Sequence, residues 1–186
     1  TVVISANKNE TNRMEAPVVV HVMTPKLFEN TNSVCLAQGL SFQPGLRVET
    51  NCQNCGFQQV RINGLDGPYT QLLLDGKALF SSLNGVYGIE QIPAGMIERV
   101  EVMRGGGSAL YGANAIGGTV NIITKEPLNN LFMISHNLIA IGNSAYDNTT
   151  SLNASLINGQ RNAGLYIFGT SRHRQHYDHD GDHFSE

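Results

Sequence analysis

The chain has 186 residues, with 12 Lys and Arg against 15 Asp and Glu and a formal net charge of −3. That length suits one medium domain or one and a half rather than a large multidomain enzyme, and without an excess of cations to neutralise phosphates no nucleic-acid partner is expected. No apolar run approaches the roughly 20 residues of a transmembrane helix, whereas β-barrel strands, which read only as weak alternation, stay open.

The opening Thr1-Val2-Val3-Ile4-Ser5 has neither the basic nor the apolar region of a signal peptide and reads as a processed or trimmed start. Strand-sized β-branched or aliphatic stretches bounded by Gly, Pro or Asn recur at residues 2–5, 18–22, 58–63, 71–75, 97–103 and 119–124. Thr24 before Pro25 predicts an N-cap with proline at the first helical position, and residues 33–38 carry Val34, Leu36 and Ala37 ahead of Gly39, so two short helices are expected. Ile92-Pro93-Ala94-Gly95-Met96 predicts a further helical turn entering the strand that holds Arg99 and Glu101.

Pro127-Leu128-Asn129-Asn130 punctuates a change of texture and divides residues 1–127 from 128–186. Beyond it residues 131–141 read as a strand. Leu152, Ala154 and Leu156 then alternate with Ser151, Asn153 and Ser155 up to the turn Asn158-Gly159, and residues 163–172 return. The connection over 142–148 reads as long and that over 158–160 as tight. Such strands, with short turns on one side and long loops on the other, suit the wall of an outer-membrane barrel, and the same alternation suits a soluble meander. Three strands close no barrel, whose smallest common form has about eight.

The cysteines are Cys35, Cys52 and Cys55. In an oxidising compartment Cys52 and Cys55 can form a small-loop disulfide, a local staple that leaves Cys35 as a buried thiol. A second CxxC for a four-cysteine zinc site is absent, and a thioredoxin-like reading lacks its strand-to-helix context because Gly56 leads into extended residues 58–62.

Four of the six histidines, His173, His176, His179 and His183, lie near the C-terminal end, interleaved with Asp178, Asp180 and Asp182. His176, Asp178, Asp180 and Asp182 are candidate ligands for Ca²⁺ or a transition metal, although the EF-hand spacing is not met; the other reading is a hydrated loop. No Gly-x-Ser-x-Gly elbow, His-Glu-x-x-His pair or spaced carboxylate pair points to catalysis, so neither an enzyme nor a required cofactor is expected.

Four segments, in order, carry a resemblance: Val60-Arg61-Ile62-Asn63-Gly64; Leu73-Leu74-Asp75-Gly76; residues 97–105, reading Ile-Glu-Arg-Val-Glu-Val-Met-Arg-Gly; and residues 110–125, reading from Leu-Tyr-Gly to Asn-Ile-Ile-Thr-Lys. Together they resemble the plug domain of TonB-dependent outer-membrane receptors over about residues 1–127. The resemblance implies an α+β plug, a small mixed sheet with short helices and long loops, and makes residues 128–186 the first strands of a truncated antiparallel barrel. It also implies a Gram-negative outer membrane, a plug inside a ~22-strand barrel contacting lipid, and uptake of a ferric siderophore, haem or cobalamin driven by the periplasmic protein TonB.

Carried over residue by residue, the turns after Asn63 and after Gly76 face outward. Asp66, Tyr69, Phe80, Leu83 and Tyr87 then become ligand-contacting candidates, with packing against the barrel wall as the other reading. Arg61 and Arg104 match plug arginines that the family pairs with barrel glutamates, partners that would lie beyond Glu186; otherwise both line a solvated face. This chain has Gly106 where the family often has proline, and no TonB box precedes Thr1. The terminal His/Asp loop would face the exterior.

The alternative from another class is a free-standing soluble binding module with the plug fold, which would stop near Lys125. An enzyme built on the terminal His/Asp cluster is a third reading. With lipid and the rest of the barrel absent, the exposed strand edges predict disorder after Pro127 or self-association between copies.

Overall fold

The computed structural model describes residues 2–3, 5–6, 9, 11–52, 57–79, 88–142 and 145–178. Two compact units result, Thr1–Lys125 and Glu126–Glu186.

In the first unit, β1 (Val2–Val3) and β2 (Thr11–Asn12) pair antiparallel. After β3 (Val20–Met23) comes α1 (Pro25–Asn30), where proline at the helix start fits because its missing N–H has no intrahelical partner. Thr24 occupies the N-cap position as expected, but its side chain makes no capping bond. The second helix, α2 (Leu36–Leu40), starts later than the sequence suggests, with buried Cys35 at its N-cap and the Val34 N–H donating to Gln38 Oε1 at 2.8 Å. Gly39 on α2 lies against the Phe28 ring, where a Cβ would come within 2.2 Å of the aromatic carbon, so only glycine lets the two short helices approach.

A hairpin follows, β4 (Leu46–Cys52) with β5 (Phe57–Ile62), carrying a bulge between Thr50 and Cys52. Next come β6 (Thr70–Leu74), β7 (Lys77–Ala78), β8 (Ile97–Arg104) and β9 (Gly118–Thr124). With β3 they form a five-stranded sheet in the order β3-β8-β9-β6-β7, in which only β6 and β9 run parallel. The turn predicted before β8 is present as a 3-10 turn, Ala94–Met96. Mixed strand directions with few short helices give the α+β architecture expected of this unit.

The two faces of the sheet differ chemically. Val100, Val102, Val120 and Ile122 fall on one face by register and are fully buried in a cluster with residues of α1, α2 and the β4–β5 hairpin. Each such aliphatic side chain contributes roughly 1.5–3 kcal/mol through removal from water. The other face carries Glu101 opposite Asn121, both fully buried, beside buried Met103 and Leu73, and Val3 and Ala6 cluster there with Val20 of β3.

The second unit is an antiparallel meander of β10 (Leu131–Ile141), β11 (Ala145–Ile157) and β12 (Gly164–Arg174). Three strands therefore follow Pro127. Loop lengths are the reverse of those read from the sequence: residues 142–144 join β10 to β11, and the six residues 158–163 join β11 to β12. The stretch from Tyr146 to Thr150 belongs to β11 despite its polar composition.

Register places Phe132, Ile134 and Leu138 of β10, Leu152, Ala154 and Leu156 of β11, and Leu165 and Ile167 of β12 on one face. The opposite face carries Asp147, Thr149, Ser151, Asn153 and Ser155 along β11 with Arg172 and Arg174 of β12, together with Met133 and Phe168. Arg172 grips Asp147 there with two nitrogens, Nε at 3.0 Å from Oδ1 and the terminal NH2 group at 2.5 Å from Oδ2. Among the described residues no barrel closes.

Candidate functional site

The longest motif of the sequence folds as two neighbouring strands joined by a glycine-rich excursion. β8 ends at Arg104; Gly105 and Gly106 follow with φ of +65° and +66°, and one helical turn, Ser108–Tyr111, comes next. The excursion is closed by the Gly105 N–H donating to the Gly117 carbonyl at 3.0 Å. At Gly118, φ is +144° and an added Cβ would sit 2.2 Å from the Met103 carbonyl oxygen, so glycine there is a steric requirement for the entry into β9.

The same end of the sheet gathers the segment after β5. Asn63 and Gly64, at φ of +52° and +83°, make a tight turn that the Leu65 N–H closes onto the Ile62 carbonyl at 3.0 Å. A 3-10 turn, Gly67–Tyr69, then enters β6, and the Gly117 N–H donates to the Tyr69 carbonyl at 2.8 Å. Leu65, Tyr69 and Ile116 consequently stand exposed beside one another, a partly apolar rim next to the Asp66 carboxylate.

Asp66 Oδ1 lies 3.1 Å from the Arg61 NH2 group, and Arg61 Nε lies 2.6 Å from Glu49 Oε2, while Glu49 Oε1 also meets Arg47 Nε at 3.1 Å. Arg61 is thus held by two carboxylates of its own unit. Arg104 bonds through its guanidinium to the Pro44 carbonyl and lies over Gly45, whose φ of +80° and missing Cβ leave room for it. Glu49 and Pro44 were not singled out in the sequence. Alternation of Leu46, Val48 and Thr50 marks β4 as a strand in retrospect, but nothing local shows which carboxylate an arginine will find.

The Asp75-Gly76 turn lies at the other end of β6. Asp75 (φ +48°) and Gly76 (φ +77°) close the β6–β7 hairpin, and the Asp75 carboxylate accepts the Thr124 N–H and the Thr124 hydroxyl, each at 2.9 Å. The Asn63-Gly64 and Asp75-Gly76 turns therefore lie toward opposite ends of β6. Phe80, Leu83 and Tyr87 lie outside the described residues.

Two titrating groups flank the motif. His21 on β3 is held below its ordinary pKa, first by burial and then by the charges of Arg104 and Arg13. Tyr111 is held above its ordinary value, first by burial and then by the Glu101 carboxylate, and its hydroxyl donates to the Ser5 carbonyl at 3.1 Å.

Of the candidate metal ligands, His176 and Asp178 follow β12, whereas Asp180 and Asp182 lie outside the described residues. Among the described residues no group of three His, Cys, Asp or Glu side chains is gathered to hold a metal ion. Cys55, and with it the bridge to Cys52, also lies outside them, and among them no helix is long and apolar enough to cross a membrane.

A family model described as TonB-dependent Receptor Plug Domain matches residues 12–119, more than half of the chain. The vitamin B12 transporter BtuB of Vibrio vulnificus (strain CMCP6) is 36% identical over 126 residues, a match that covers 68% of this chain and 21% of that protein. The chain thus spans about a fifth of the length of the curated relatives it matches. Among solved structures, the siderophore receptor PirA of Acinetobacter baumannii superposes with a TM-score of 0.70 at 25% identity, covering 88% of this chain and 26% of that one. The pyoverdine-bound FpvA of P. aeruginosa does so with a TM-score of 0.72 at 18% identity, over 94% of this chain and 22% of that one, a likeness of fold.

Proposed function

Because the chain belongs to the TonB-dependent receptor plug family, we propose that it supplies the plug and the first three wall strands of an outer-membrane receptor. The receptor gates energy-coupled uptake of a scarce nutrient of the ferric siderophore, haem or cobalamin class. The observation that carries this reading is the meander that follows the plug unit: three long strands with an apolar face that no residue of their own sheet covers. Lipid is the solvent such a face suits, and a soluble module reusing the plug fold would have no need of it.

In this reading the plug obstructs and the glycine-bounded end of the sheet, with Asp66 and Tyr69 on its rim, meets the ligand. The vitamin B12 transporter and the siderophore receptors among the similar proteins support the cobalamin and siderophore classes. TonB provides the mechanical input from the periplasm, and binding with gated transport takes the place of catalysis. Arg61 and Arg104 are proposed to face barrel carboxylates in the complete receptor, beside the contacts each makes within the plug.

Fractionation tests the location. An antibody to this chain should detect a heat-modifiable band in the outer membrane of the source cells, and a band of about 20 kDa confined to the soluble fraction would sink the proposal. Uptake of labelled cobalamin, haem and ferric siderophores by cells with and without the intact gene then assigns the class.

A further inference from the structure

Among the described residues Asn-Gly occurs at Asn63-Gly64 and at Asn158-Gly159, and both pairs are exposed. The fold treats the two asparagine side chains differently. Asn158 ties the β11–β12 connection together: its Oδ1 accepts the N–H of Asn162 at 3.0 Å and that of Ala163 at 3.3 Å, and its Nδ2 donates to Asn162 Oδ1. Asn63 sits instead at φ +52° in the turn that Leu65 closes onto Ile62, and among the described residues its side-chain amide has no hydrogen-bond partner. A Cβ added to Gly64 would meet no atom within 4 Å, so the approach to the backbone nitrogen that follows Asn63 is open.

We propose that Asn63 is a site of spontaneous covalent modification, converting to aspartate or isoaspartate in the folded chain while Asn158 keeps its amide. The Gly64 nitrogen attacks Asn63 Cγ: the bond between them forms, the bond from Cγ to Nδ2 breaks, and ammonia leaves carrying the Gly64 amide proton. The five-membered succinimide then takes up one water. Opening at Cγ gives aspartate in the original backbone, and opening at the main-chain carbonyl gives isoaspartate; nothing is oxidised or reduced. Glycine is the follower that hinders this ring closure least, because it has no side chain beside the attacking nitrogen. To reach the ring geometry Asn63 gives up the turn bond of Leu65, whereas Asn158 must release three bonds of its own side chain, which slows it by about tenfold or more. The product places a carboxylate between Arg61 and Asp66 in sequence, where the Arg61 guanidinium is already shared by Glu49 and Asp66, so the exposed turn gains negative charge. Aspartate tolerates a positive φ as asparagine does, so the turn accommodates that product. The chemistry needs only water and holds whether or not the receptor reading does.

Incubation of the 186-residue chain at mildly alkaline pH, folded and in concentrated urea, tests the site by peptide mass spectrometry. Trypsin isolates residues 62–77, in which Asn63 is the sole asparagine, and fragmentation of the peptide ending at Arg161 locates any change at Asn158. In the folded chain conversion at Asn63 should run about tenfold or more ahead of Asn158. In urea the two rates should draw level, because each is then an Asn-Gly pair in an open chain. Incubation in heavy-oxygen water should leave one heavy oxygen on residue 63, the mark of succinimide hydrolysis, and Asn63→Gln should suppress the conversion because its ring is six-membered. Equal rates in the folded chain, a faster Asn158, or conversion of Asn63 confined to urea would overturn the proposal.

Discussion

In the first unit Leu72, Val100 and Ile122 are shut away between a sheet, two short helices and a hairpin, whereas in the second Phe132, Leu156 and Leu165 stand open on one face of three strands. Polar groups do not follow that contrast: Glu101 and Asn121 are buried in the first unit, and Asp147, Thr149 and Asn153 of β11 are buried in the second. The large apolar residues are therefore sorted by two rules. On the proposed function, a plug in water must hide its aliphatics and a wall in lipid must show them.

That contrast can be broken most severely at the glycines. Gly118→Val should cost about 4 kcal/mol or more and prevent the first unit from folding, because the new side chain meets the Met103 carbonyl at a φ that disfavours any Cβ. Loss of the circular-dichroism and thermal signatures of the first unit is the expected reading, and a variant that melts like the parent would refute the steric account.

Paired truncations sharpen the comparison directly. Leu72→Ala in the core (8% exposed) should destabilise by about 2–5 kcal/mol, while Leu156→Ala on the open face (55% exposed) should stay within about 0.5 kcal/mol in aqueous urea titration. Equal losses would mean that the open face is covered in solution, and light scattering would then report association of copies through the meander.

A smaller effect is expected at the alkaline edge of stability. Tyr111 titrates higher folded than unfolded, so its contribution is fully present below its unfolded pKa near 10 and is lost as pH rises through the raised folded value. Tyr111→Phe should flatten that limb of the pH–stability curve and lower neutral-pH stability by roughly 0.5–1.5 kcal/mol through the missing bond to Ser5. His21 acts at the acid side with the opposite slope: its pKa is depressed on folding, so stability should fall as pH drops below its ordinary value of 6.5. His21→Gln should remove that dependence and shift the midpoint least of all.

What the sequence disclosed follows from how local each cause is. Strands β8 and β9 and the Asp75-Gly76 turn were legible because β-branched runs and positive-φ positions act within a few residues. The β10–β11 connection was misjudged for a physical reason: one side of that wall is polar, so residues 146–150 mimic loop composition while lying in a strand. Leu46–Cys52 was passed over although it alternates. Arg61 and Arg104 were picked out by motif, but the Glu49 and Pro44 contacts come from tertiary packing, and no local pattern points from Ser5 to the Glu101 carboxylate that accepts its N–H and its hydroxyl.

Ser5 and Glu101 are 96 positions apart, and β9, whose Asn121 donates to the Ser5 hydroxyl, comes later still. At about 5–20 residues per second of synthesis, the N-terminal segment waits roughly 5–20 s before its partner carboxylate exists. Parallel pairing of β6 with β9 adds a second long closure, so the sheet assembles late and in nearly one step.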